Sequence, residues 1–218
     1  MARFSIYIFL FYTCFLNAQV IDPNIIKVQE RLDSIEKFSA DLELEVAISF
    51  INIPNKFAKI VYTKNEDTKV VSDDFVLIPK KGLDVSLNQL FKYPFITVDR
   101  GFEERNDKEY KLVNIIPTDK KADFSIASVL IDIENDRIIE SEINTKKDGS
   151  YLVKMHFDKP SSVLPKQIEV QFEIERIRIP LKYMGKEATI DKKKYKSGEV
   201  KTGTIFLNFT YTDIIYKA

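Results

Sequence analysis

The sequence predicts a mainly β fold, α+β by virtue of one N-terminal helix, and three observations carry that prediction. Apolar residues recur at every second position over several stretches, Pro, Asn, Asp and Gly punctuate the gaps between them, and one stretch alone has helical spacing. Consecutive stretches are joined by short turns, so the strands pair antiparallel.

The helix comes first. Asp22 can cap it, Pro23 suits its first position, and Ile25, Val28, Leu32 and Ile35 form one apolar stripe at three- and four-residue steps. The period then switches to two: Leu42, Leu44, Val46, Ile48 and Phe50 alternate with Glu43, Glu45, Ala47 and Ser49, which marks a long strand wet on one face. Pro54-Asn55 closes it, and residues 57–63 return as a hairpin partner that turns again at Asn65-Glu66-Asp67 before Val70 and Val71. A strand is expected at Val76-Leu77-Ile78 and a short helical turn over 86–91. Further strands are expected over 95–99 and 111–116, the second stopped by Pro117.

From Phe124 onward the alternation strengthens. Val129, Ile131 and Ile133 lead to a turn at Asn135-Asp136, residues 138–145 return, Lys147-Asp148-Gly149-Ser150 is a hairpin signal, and Tyr151, Val153, Met155 and Phe157 share a face. Ile168, Val170, Phe172 and Ile174 alternate with Gln167, Glu169, Gln171, Glu173 and Glu175, and a last strand is expected over 205–211. Between these two strands, residues 176–202 read as an irregular insert rich in lysine, a solvated loop or a basic protrusion.

Composition excludes several function classes. Lys plus Arg and Asp plus Glu number 33 each, so nothing draws the chain to nucleic acid. Met1, Ala2 and Arg3 followed by an apolar run over 4–16 and by Asn17-Ala18 predict a cleaved secretory signal over residues 1–18, leaving one domain over 19–218. That run is shorter than the roughly 20 apolar residues a membrane span needs. The lone Cys14 lies inside it, so the mature chain is expected to have no disulfide, thiolate nucleophile or cysteine-ligated metal.

No catalytic constellation is legible. His156 has neither a second histidine nor a Gly-x-Ser-x-Gly elbow to work with, the six glycines are too scattered for a phosphate loop, and Asp73-Asp74 and Glu103-Glu104 sit in polar, solvated surroundings. The prediction is therefore no enzyme, no metal and no cofactor. The apolar strand faces, however, exceed what one helix about 10 Å across can cover. They must close on themselves, be covered by loops, or stay open to a ligand, and a solid barrel meets that requirement as well as a hollow one.

The order of elements resembles a known family. An exported signal, an amphipathic helix, a long strand entered through Phe38-Ser39-Ala40-Asp41-Leu42-Glu43-Leu44, and hairpins leading to Val129-Leu130-Ile131-Asp132 and Asp148-Gly149-Ser150-Tyr151 look like the periplasmic outer-membrane lipoprotein-sorting (LolA) family, over roughly residues 25–157. The stretch Phe75-Val76-Leu77-Ile78-Pro79-Lys80-Lys81-Gly82-Leu83-Asp84 is similar to a Gram-negative variety of these proteins, and the 176–202 insert departs from the pattern.

The resemblance implies an unclosed antiparallel half-barrel covered by an N-terminal helix and loops, located in the periplasm. It implies a carrier, without cofactor, that shields the acyl chains of a lipoprotein or lipid. An inner-membrane release complex or an outer-membrane acceptor would be its partner. On this chain the concavity would be lined by Leu42, Leu44, Val46, Ile48, Phe50, Val170 and Phe172. A related half-barrel serves as an envelope-stress sensor that restrains a membrane-bound regulator, and the basic insert could dock such a partner. A hydrolase of envelope polymers lacks a credible site.

Overall fold

The computed structural model describes residues 21–66, 68–72, 90–147, 149–173, 189–191 and 202–217. The expected strand at 76–78, residues 86–89 of the helical turn expected over 86–91, Asp73-Asp74 and most of the 176–202 insert lie outside them, as do the signal residues.

Helix α1 (Pro23–Asp33) begins where Asp22 Oδ1 accepts the Asn24 N–H at 2.8 Å, with Pro23 in the first turn, where its missing N–H is harmless. Ile25 and Val28 are its buried residues. Ile35 does not belong to the helical stripe: the helix stops at Asp33 and Ile35 opens strand β1 (Ile35–Ile48), pairing with Tyr216. The ladder to the last strand reaches back to Ile35, and its hydrogen bonds replace a further half-turn of helix.

After β1 come β2 (Ile51–Asn52), β3 (Lys56–Thr63), β4 (Lys69–Val71), β5 (Phe95–Arg105), β6 (Lys108–Pro117), β7 (Phe124–Asp132) and β8 (Arg137–Thr145). They are followed by β9 (Ser150–His156), β10 (Gln167–Glu173), β11 (Thr189–Ile190) and β12 (Thr202–Tyr216). These twelve described strands form one sheet in the order β11-β2-β1-β12-β10-β9-β8-β7-β6-β5, with β3 on β1 and β4 on β3. Every pairing is antiparallel. The sheet is not closed into a barrel: β4 and β5 stand at opposite ends of the order and do not pair. The unclosed half-barrel with an N-terminal helix is thus the observed architecture.

Three elements run longer than the sequence predicts. Strands β5 and β6 extend through the charged stretch from Arg100 to Glu109, because Asn106 and Asp107 both adopt positive φ (52° and 58°) and make a two-residue turn that fits the twist of a hairpin. The polar side chains there occupy strand positions. Strand β12 continues past Tyr211 because Asp213, at φ 55°, takes up a bulge between the Ser39–Thr212 and Lys37–Ile215 pairs. Phe50 lies in the turn between β1 and β2, and is buried there.

Candidate functional site

Directly opposed residues of an antiparallel pair share a face, so the registers can be read across the sheet as rows. One row runs Thr97, Ile115, Ala127, Ile143, Tyr151, Phe172, Gly203, Ile48, from β5 to β1. The next runs Asp99, Val113, Val129, Ser141, Val153, Val170, Ile205, Val46. A third continues through Met155, Ile168, Leu207, Leu44 and Lys56. These rows form the inner face, on which α1 lies.

The helix is fastened at both ends. Its cap donates the Asp22 N–H to Thr97 Oγ1 at 2.8 Å, and Arg31 donates to the carbonyls of Pro160, Ser161 and Ser162 at 3.2, 3.0 and 3.3 Å. On the inner face Val113, Ile115, Ala127, Val129, Ile131, Ile138 and Val153 are wholly buried. On β1 and β12 the same face is less covered: Leu44, Val46, Ile205 and Phe209 are partly exposed while packing on the core.

The sequence-predicted lining residues fall into two groups. Leu42, Ile48, Phe50, Val170 and Phe172 are buried, whereas Leu44 and Val46 are half-open. Leu42 to Ile48 share the inner face of β1, and Val170 and Phe172 share that of β10. The structure brings them together through β12, which lies between: Val170, Ile205 and Val46 stand in one row, and Phe172, Gly203 and Ile48 in another. Sequence reasoning missed this middle strand as part of the site. Its signal was present in the alternation Gly203, Ile205, Leu207, Phe209, but the pairing of β1 with the last strand is non-local.

Beyond Leu42 and Phe209 the inner face turns aromatic. Phe38 stacks on Tyr62 at 5.1 Å and meets Tyr211 edge-on at 5.4 Å, and Phe209 stacks on Tyr211 at 5.6 Å. The Tyr211 hydroxyl donates to the Pro165 carbonyl at 2.9 Å, and burial pushes its pKa up, so it stays protonated at all ordinary pH.

Charges on the inner face are few and lie at the ends of these rows or beyond them. Lys111 is buried against Asp99, with its ammonium 4.6 Å from the Phe102 ring centre, and its hydrogen bond, with that of the Gly101 N–H, holds the Asp99 carboxyl below its usual range. Lys56 is buried at the β3 end of the third row. At one end of the sheet Asp132, almost wholly buried, takes ion pairs from Lys108 at 2.9 Å and Arg137 at 3.2 Å, and Arg137 lies 4.4 Å over the Phe157 ring.

His156 ends β9 on the opposite face, exposed, 3.5 Å from Glu169. Among the described residues no group of three His, Cys, Asp or Glu side chains could hold a metal, and no helix is long and apolar enough to cross a membrane.

Solved structures include several of similar shape. A LolA superfamily protein from Nitrosomonas europaea superposes with a TM-score of 0.48 at 13% identity, over 89% of this chain and 94% of that one. A DUF1329 family protein from Desulfovibrio piger gives 0.47 at 9% identity, over 89% and 91%. A domain described as an outer membrane lipoprotein-sorting protein, from Vibrio parahaemolyticus, gives 0.45 at 11% identity, over 89% and 92%. No protein-family model and no curated protein matches the chain.

Proposed function

We propose that this chain is a periplasmic, non-enzymatic carrier whose inner face shields the acyl chains of a lipoprotein or lipid on the way to the outer membrane. One observation carries the reading: inner-face positions such as Val113, Ile115, Val129 and Val153 on β6, β7 and β9 are sealed, whereas Leu44, Val46, Ile205 and Phe209 on β1 and β12 are partly open, as are Ile143 and Tyr151 on β8 and β9. An apolar surface that a fold leaves open on its concave side is a surface a hydrophobic ligand can complete.

The energetics suit a shuttle. Each buried methylene is worth about 0.8 kcal/mol, so sheltering roughly ten supplies about 8 kcal/mol, a dissociation constant near micromolar. Such binding holds a chain and still releases it to an inner-membrane complex or an outer-membrane acceptor. Export rests on residues 1–18, and the single domain on 19–218. A sensor role would rest on the basic insert, of which only residues 189–191 and Thr202 are described, with Thr189–Ile190 pairing on β2.

Purified exported protein should quench or enhance a fluorescent fatty-acid probe saturably, and lipid extracted from it should show acyl species by mass spectrometry. A folded protein that takes up no probe and carries no lipid contradicts the proposal.

A further inference from the structure

Gly203 is the one position of the β1–β12 rows without a side chain, and its neighbours fill the space. A Cβ placed there would lie 2.8 and 2.9 Å from two atoms of the Phe172 ring and 3.0 Å from Cγ1 of Ile48. The ring therefore crosses β12 and reaches β1, which only glycine at this position permits. Phe172, Ile48 and Phe50 are 6%, 5% and 4% exposed, and Tyr151 backs the ring at 6.3 Å between centroids. The adjacent row holds Val46 and Ile205, which are partly open. A row buried at Phe172 and Ile48 thus borders a partly open aliphatic one.

We propose that Phe172, laid across Gly203, is the end wall of the acyl site and sets the length of chain that the site accepts. This rests on the reading of the β1–β12 face as acyl-binding. The row Tyr151, Phe172, Gly203, Ile48 carries no charge, so the end of the ligand that meets it is the methyl end. The substrate class is an acyl chain. From the Ile48–Gly203 row back to the Leu42–Phe209 row β1 advances roughly 20 Å. An extended hydrocarbon with bonds of about 1.5 Å gains roughly 1.25 Å per carbon, so the stretch takes on the order of 14 carbons once the walls are allowed for.

The test uses a graded series of saturated fatty acids, shorter and longer than that, to displace a fluorescent fatty-acid probe from the unmodified exported protein and from Phe172→Leu, Phe172→Ala, Gly203→Ala and the Phe172→Ala/Gly203→Ala double variant. Thermal melting checks each fold, and Phe172→Leu serves if Phe172→Ala is unstable. Both Phe172 variants are expected to move the optimum to longer chains, with each methylene that finds room tightening binding about fourfold. Gly203→Ala should push the ring into the open rows and move the optimum to shorter chains, an effect absent from the double variant. An optimum that stays in place in Phe172→Leu and Gly203→Ala overturns the end wall and leaves the carrier standing. An unmodified, folded protein that binds no member of the series overturns both.

Discussion

On β6, β7 and β9 the inward residues Val113, Ile115, Ala127, Val129, Ile131 and Val153 are sealed, whereas on β1 and β12 Leu44, Val46, Ile205 and Phe209 are partly open, although the rows run unbroken from one group to the other. The side chains are of one kind. The difference lies in the cover: α1, with Ile25 and Val28 buried, meets β8 and is tied to Thr97 of β5 at one end and to the 160–162 carbonyls at the other. Alternation thus determines which face is dry in principle, and the reach of one helix determines how much of it is closed.

The strongest way to break this comparison is to place the same charge in each region. Val129→Asp puts a carboxylate where no water reaches, at a cost of several kcal/mol, and should abolish the cooperative melt. Val46→Asp puts it where water does reach, and should cost only about 1–2 kcal/mol while eliminating fatty-acid probe binding. Melting curves and probe titrations on the two variants decide the matter. If Val46→Asp unfolds as completely as Val129→Asp, the β1–β12 rows are solid core and the carrier reading falls.

A smaller effect is expected at the ion cluster that anchors the β7–β8 turn. Burial raises the pKa of Asp132, but bonds from Lys108 and Asn135 and the charges of Lys108 and Arg137 outweigh it, so the net shift is below its ordinary 3.8. A folded pKa below the unfolded one contributes stability that is full above the ordinary value and is lost as pH falls through the depressed one. Asp132→Ala should cost about 2–3 kcal/mol at neutral pH, less than for a fully buried pair because Lys108 keeps a third of its side chain in water. Melts across pH should show the gap between variant and unmodified protein closing only below pH 3.8. A gap that is constant down to the acid limit would remove the ion pairs from the account.

Much of this was legible in the sequence, for identifiable reasons. The helix start, the β1 face and the β7 to β10 meander follow from local spacing and turn chemistry, and Leu42, Leu44, Val46, Ile48, Val170 and Phe172 do share the inner face. What escaped was non-local or masked by charge. The Asn106-Asp107 turn joins strands whose side chains are mostly polar, so their alternation is invisible to hydropathy. Strand β12 enters between β1 and β10, and nothing in its own residues announces that neighbourhood. Gly203 looked like one scattered glycine among six, because the need for it arises only when Phe172 and Ile48 meet over it.

The smallest expected effect sharpens the comparison from the sealed side. Ser141 stands in the inner row between Val129 and Val153, 1% exposed, and its hydroxyl has no hydrogen-bond partner among the described residues. Under the helix a polar atom in that position loses its water and gains nothing in return, whereas on the open part of the same row water would compensate it. Ser141→Ala removes the orphan at the cost of a small void, and should stabilise the fold by up to about 1 kcal/mol, a rise of roughly 2–4 °C in melting temperature. Fatty-acid binding should not change, since the residue lies beneath α1 and away from Leu44 and Val46. A lower melting temperature would mean that the hydroxyl is satisfied in solution, and that water reaches the row between Val129 and Val153.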